Sequence, residues 1–77
     1  MKKEKEFNKL VGRRLASIRC EMEKSRAEVC KEAGITISCL FHWEKGDMKA
    51  SFQGVYLLCK YYNYPFNKLV EMIDENL

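Results

Sequence analysis

The segment "GITISCLFHWEKG", residues 34–46, holds the only histidine, the only tryptophan and one of the four cysteines. Within it, Cys39 and His42 are three residues apart, so they share one face of a helix, as a nucleophile and its base can. The same pair can bind a metal ion, but a zinc site needs two further ligands. One helix surface provides neither a pocket nor an oxyanion hole. The sequence therefore favours a surface that reads another molecule over an enzyme or a metal site.

The cysteines are spaced 10, 9 and 20 residues apart, without the paired CxxC pattern of zinc ribbons; they are Cys20, Cys30, Cys39 and Cys59. The opening "MKKEKEF" is basic but leads into no apolar stretch, so no secretory signal is expected. No apolar run reaches the length of a membrane helix. We therefore expect a cytoplasmic protein with reduced thiols, no cofactor and no membrane association.

Composition and charge suit a single small domain over residues 1–77. Hydrophobic residues make up 47% and charged residues 32% of the chain, and the net charge is +3. The charge is uneven, because residues 1–33 hold ten basic and six acidic side chains, whereas residues 61–77 hold one lysine and three acids. A basic front and an acidic tail are typical of a protein that faces a polyanion with one side.

Apolar periodicity predicts five short helices and no strand. The first helix is expected over about residues 5–22. Ser25, Thr36 and Ser51 are candidate N-caps of the next three helices, and Glu28 completes a capping box with Ser25. The second, third and fourth helices are predicted to end at Gly34, Gly46 and Asn63, and the fifth is predicted to begin at Pro65. In the fourth helix, the expected inward stripe is Phe52, Val55, Leu58, Cys59 and Tyr62.

Two short helices joined by a three-residue turn over about residues 25–45 form a helix-turn-helix pattern. With its neighbours, this pattern resembles the Cro/repressor-type (XRE-like) helix-turn-helix family, which includes phage repressors and restriction-modification controller proteins. The resemblance spans about residues 11–70, and its motifs are "VGRRLASIR" (11–19), "SRAEVCKEAGIT" (25–36), "LFHWEKG" (40–46) and "YNYPFNKLV" (62–70). It implies an all-α, five-helix bundle of the lambda-repressor-like type.

The resemblance also implies roles for individual residues. Arg19 pairs with Glu44 and ties the first helix to the third, while Trp43 belongs to the core. Arg26 stands where the family usually has glutamine, and Phe41 stands where it usually has a small polar residue. The third helix is expected in the major groove of double-stranded DNA. The DNA-binding residues implied are Ser25, Arg26, Thr36, Ile37, Ser38, His42, Lys45 and Lys49.

The function implied is sequence-specific regulation of transcription, as a repressor or controller, and no small-molecule ligand is indicated. One alternative is a protein-interaction module, antitoxin-like or phage-encoded, in which Ile37 and Phe41 form an apolar ridge. A single reading helix covers few base pairs, so a homodimer is expected. The excess of apolar residues in the fifth helix suggests an interface, for which we predict Val70, Ile73 and Leu77.

Overall fold

Five helices make up the architecture that the computed structural model describes over residues 2–77, and that range contains no strand. They are α1 (Lys2–Glu21), α2 (Arg26–Ala33), α3 (Ile37–Lys45), α4 (Phe52–Tyr62) and α5 (Phe66–Asn76). The predicted all-α class is confirmed. Helix α1 begins before the expected position near residue 5, because lysine and glutamate lose little rotamer freedom in a helix and extend it.

Local capping chemistry sets the helix boundaries. The Ser25 side chain accepts a hydrogen bond from the Glu28 amide, and the Glu28 carboxylate accepts one from the Ser25 amide, so the predicted capping box is formed. Thr36 and Ser51 cap α3 and α4 through their hydroxyls. Three of the helices end at residues with left-handed backbone, namely Gly34 (φ 77°), Gly46 (φ 80°) and Asn63 (φ 56°).

The core lies where α1 crosses the other helices. Helix α1 packs against α3, α4 and α5, while α2 packs against α3 and α4. The largest side chains that are completely enclosed come from every helix, and they are Leu15, Val29, Leu40, Leu58 and Leu69. Trp43 is also buried, as predicted. This arrangement fixes α3 against the rest of the protein along one side and leaves its other side exposed.

The inward stripe predicted for α4 is wrong at one end. Val55, Leu58, Cys59 and Tyr62 are buried, but Phe52 is 74% exposed. Side chains of a helix tilt toward its N-terminus, so a side chain in the first turn extends past the core that the later turns cover. The Phe52 ring instead contacts the Phe66 ring edge to face, with 5.7 Å between their centroids.

The predicted dimer surface on α5 also needs correction, because Ile73 is only 5% exposed and belongs to the core. Residues four apart lie on nearly the same helix face, so Ile73 follows Leu69 inward. Val70, next to Leu69, is 40% exposed, and Leu77, just after the end of α5, is 50% exposed. The exposed stripe therefore consists of Phe66 and Val70 on α5 and Leu77 just after it, without Ile73.

Candidate nucleic-acid interface

The turn between α2 and α3 is held by its own backbone. The amides of Gly34 and Ile35 both donate to the carbonyl oxygen of Cys30, at 3.0 and 3.1 Å. The left-handed conformation at Gly34 makes this geometry accessible without steric cost. The Ile35 side chain is buried, and Thr36 then caps α3 by accepting a bond from the Cys39 amide. Three residues thus set the direction in which α3 leaves α2.

Helix α3 is anchored along its inward face by Leu40, Trp43 and Glu44, all of which are buried. Two glycines allow the close approach of neighbouring helices at this anchor. A Cβ atom at Gly12 of α1 would overlap the carbonyl oxygen of Trp43 and lie 2.9 Å from that of Glu44. A Cβ atom at Gly54 of α4 would overlap the indole ring of Trp43. The position of α3 therefore depends on the absence of side chains at both glycines.

A buried carboxylate joins α1, α2 and α3. The Glu44 side chain is 1% exposed, and Arg19 donates to it through Nε (2.8 Å to Oε2) and Nη2 (3.1 Å to Oε1). These are the two residues that the resemblance pairs. Arg26 Nε also donates a hydrogen bond to Glu44 Oε1 at 2.8 Å, a contact that no pattern in the sequence predicts. The hydrogen bonds from Arg19 to Glu44 raise the pKa of Arg19.

The outer face of α3 carries most of the side chains predicted to meet DNA. Ile37 is 55% exposed, and Ser38 and Lys45 are also exposed. Phe41 lies on the same side, partly exposed, with the Arg26 guanidinium 5.4 Å and the Lys45 ammonium 5.3 Å from its ring centroid. Through this contact, the structure brings the start of α2 next to the outer face of α3.

His42 is partly buried and is held by an acid from the loop that follows α3. Its Nδ1 lies 2.9 Å from Asp47 Oδ1, and this hydrogen bond lowers the pKa of Asp47. Lys45 Nζ lies 3.6 Å from Asp47 Oδ2. With Nδ1 engaged by Asp47, the other ring nitrogen of His42, Nε2, is the atom left to contact a ligand.

The remaining predicted DNA-binding residues divide into two groups. The hydroxyls of Ser25 and Thr36 are used as helix caps, although both residues are exposed. Lys49 lies in the loop between α3 and α4, where it lines an apolar groove of about 320 Å³ with residues of α1, α4 and α5. The structure thus brings Arg26, Phe41 and Lys45 together, while Lys49 borders a different feature.

Sequence reasoning missed Gly12, Gly54 and the second arginine at Glu44. A glycine within an otherwise helical pattern can indicate close backbone packing, so the two glycines carried a recognisable sign. Arg26 lies 18 residues from Glu44, and no local pattern connects them. Phe41 and Lys45 are four residues apart, a spacing at which an aromatic ring and a cation meet on a helix.

A comparison with protein-family models matches residues 15–69 to a family described as helix-turn-helix. The match includes the turn, α3 and both partners of the Arg19–Glu44 bond. The chain belongs to the Cro/XRE-type helix-turn-helix family. Searches of curated proteins and of solved structures gave no match.

Membership of the helix-turn-helix family makes this chain a DNA-binding protein of the transcription-regulator type. Such domains are not typically enzymes.

Of the two side chains considered as a nucleophile and its base, Cys39 is partly buried and His42 is hydrogen-bonded to Asp47. Within residues 2–77, no group of three or more histidine, cysteine or acidic side chains is placed to hold a metal ion. None of the helices described is both long and apolar enough to cross a membrane.

Proposed function

We propose that this helix-turn-helix protein is a sequence-specific regulator of transcription, acting as a repressor or controller, that reads the major groove of double-stranded DNA with α3. The observation that carries the proposal is the placement of Arg26, at the start of α2, against the exposed face of α3. A helix N-terminus attracts phosphate through its free amides and its dipole. Base-reading and phosphate-binding groups therefore share one surface.

Arg26 supplies a positive charge to the surface formed by the start of α2 and the exposed face of α3. Its side chain is 40% exposed, and its bond to Glu44 uses Nε, so the two Nη groups remain as donors. A guanidinium held in this way can bind a phosphate with a defined geometry. Ile37 and Ser38, in the first turn of α3, are suited to a thymine methyl group and a base edge, respectively.

The proposal is tested by selection from random duplex DNA at two salt concentrations. We expect an enriched sequence motif and an affinity that falls steeply as salt rises, because phosphate contacts release counterions. If binding to duplexes is absent at low salt, or no motif is enriched, the proposal is wrong. A partner protein bound through Ile37 and Phe41 would instead be retained at high salt, because hydrophobic contacts are not weakened by it.

Arg26→Ala is expected to weaken binding to all duplexes by a similar factor. The slope of log affinity against log salt should become shallower by about one unit, because one phosphate contact is lost. Lys31→Ala, in the last turn of α2, is the matched control and should leave the slope unchanged. Fluorescence anisotropy across a salt series measures both slopes, and equal slopes for wild type and Arg26→Ala would remove Arg26 from the interface.

Ser38→Ala and Ile37→Ala are expected to change base preference instead of overall affinity. Each should alter discrimination at one or two base pairs by about 1–3 kcal/mol, the range for a well-placed base contact. Repeating the selection with each variant measures this change. Recovery of the wild-type motif by both variants would rule out direct reading of bases by these side chains.

The homodimer is proposed with a corrected interface. Val70 and Leu77 remain from the predicted set, and Val70 lines one apolar groove with Phe66 and Phe52, which are exposed and in mutual contact. A continuous exposed apolar patch is typical of an interaction site. To bind two half-sites one turn of DNA apart, the two α3 helices of a two-fold dimer must lie about 34 Å apart.

Val70→Asp is expected to convert the dimer to a folded monomer with weaker operator binding, because it places a charge on the exposed stripe and leaves the core intact. Glu71→Ala, at an exposed position on the same helix, is the control and should remain dimeric. Sedimentation equilibrium distinguishes these outcomes. A wild-type protein that stays monomeric with and without operator DNA would exclude the homodimer.

A further inference from the structure

Phe41 carries two cations on the surface proposed to bind DNA. The Arg26 guanidinium carbon lies 5.4 Å and the Lys45 ammonium nitrogen 5.3 Å from its ring centroid. Both distances are within the range in which a cation is attracted to the face of an aromatic ring. Lys45 comes from the next turn of the same helix, whereas Arg26 comes from α2. One side chain thus connects charged groups from both helices of the motif.

Each of these two cations already has an acidic side chain close to it. Arg26 is bonded to Glu44 at 2.8 Å, and Glu44 is shared with Arg19. Lys45 is 3.6 Å from Asp47, which is shared with His42. Each acid is therefore divided between two basic groups. Like charges held near one ring repel each other, and an anion that contacts both cations relieves this repulsion.

We propose that Phe41 is a positioning residue that holds Arg26 and Lys45 ready for the phosphodiester backbone of one DNA strand. The inference rests on the proposed function and extends it, since it explains why a large aromatic residue stands on the exposed face of α3. Flexible Arg and Lys side chains lose rotamer freedom when they bind, and prior ordering reduces that loss. Because both cations lie within 5.4 Å of the ring centroid, Phe41 is proposed to act on the phosphates through them and not to read a base.

The test compares Phe41→Leu, which keeps apolar bulk without a ring, with Phe41→Tyr, which keeps the ring. Binding of the selected duplex is measured over a salt series from about 50 to 200 mM. We expect Phe41→Leu to bind DNA about tenfold more weakly than wild type. The slope of log affinity against log salt should be shallower by about one unit, because one of the two cations no longer holds a stable phosphate contact. Phe41→Tyr should keep the wild-type slope, and neither variant should change the selected motif.

A second measurement reads the geometry in the free protein. In nuclear magnetic resonance spectra, ring currents should shift the side-chain protons of Arg26 and Lys45 upfield in wild type and Phe41→Tyr but not in Phe41→Leu. If Phe41 had only a packing role, Phe41→Leu would have a lower urea midpoint than wild type. The salt slope of DNA binding by the folded variant would then be unchanged. In an Arg26→Ala background, Phe41→Leu should lose part of its effect, because the two residues are coupled.

The outcomes separate the inference from the function on which it rests. If wild-type protein binds DNA with a steep salt slope and Phe41→Leu keeps that slope, the positioning role is wrong and the DNA-binding function stands. Missing upfield shifts in wild type, or a changed motif in Phe41→Leu, would also overturn the positioning role. If wild-type protein shows no salt-dependent binding to duplex DNA, both proposals fail.

Discussion

Gly12→Ala is expected to lower the free energy of unfolding by about 3 kcal/mol, the upper part of the range for overpacked sites. Helix propensity alone predicts the opposite sign, since alanine is better than glycine within a helix by about 1 kcal/mol. Packing prevails because the new methyl group would overlap the main-chain carbonyl of Trp43, which cannot rotate away. Helix α1 would have to separate from α3, and urea unfolding measures the loss.

Gly34→Ala is the matched control for this prediction. Gly34 has φ 77°, but a Cβ atom there meets nothing within 4 Å, so only backbone strain opposes the substitution. We expect a loss of about 1–2 kcal/mol, the usual cost of the left-handed conformation for alanine. A Gly12→Ala protein that is as stable as wild type would show that α1 and α3 do not approach as closely as the structure indicates.

Glu44→Ala is expected to destabilise the protein by about 3 kcal/mol. The substitution removes the carboxylate that accepts bonds from both Arg19 and Arg26, and Arg19, whose side chain is 12% exposed, keeps only its bond to the Lys24 carbonyl. An unpaired charge in a buried site is strongly unfavourable. A domain of this size has a free energy of unfolding of roughly 4–12 kcal/mol, so Gly12→Ala or Glu44→Ala would each remove a large fraction of it.

The controls for Glu44→Ala test whether the loss of stability comes from the Arg19–Glu44 ion pair. Glu32 is an exposed acid bonded to Lys24 and Tyr61, and Glu32→Ala should change stability little, because exposed ion pairs are screened by solvent. The double variant Arg19→Ala/Glu44→Ala should lose less than the sum of the single losses. Strictly additive losses of stability in urea would mean that Arg19 and Glu44 do not interact.

Glu44→Ala should also release Arg26 from its hydrogen bond. The DNA affinity of the Glu44→Ala protein is therefore expected to fall even under conditions in which the protein remains folded.

Much of the fold could be predicted from the sequence because helix ends are determined by local chemistry. Ser25, Thr36 and Ser51 each cap a helix through an amide three residues away, and Gly34 and Gly46 take a backbone conformation that other residues rarely adopt. These interactions span at most one turn. Their outcome depends little on how the helices are arranged, so the pattern of residues predicts them.

The candidate interface was predictable in its location but not in its contacts. The caps of α3 and the three-residue spacing of Leu40 and Trp43, both of which are buried, indicate which face of α3 is exposed. Whether Arg26 reaches Glu44, or lies against Phe41, depends on the distance and angle between α2 and α3. That geometry follows from packing across the whole core, and no spacing in the sequence encodes it.

The sequence by itself determined five helices, their caps and the family to which the motif belongs, because these depend on residues within a few positions of each other. The tertiary structure decided that Ile73 lies inside, that Phe52 lies outside, and that one buried acid serves two arginines. A helix with apolar residues on two sides can bury only the side that its neighbours cover, and those neighbours come from distant parts of the chain. The same reason explains Gly12, whose missing side chain matters only because α3 passes directly over it.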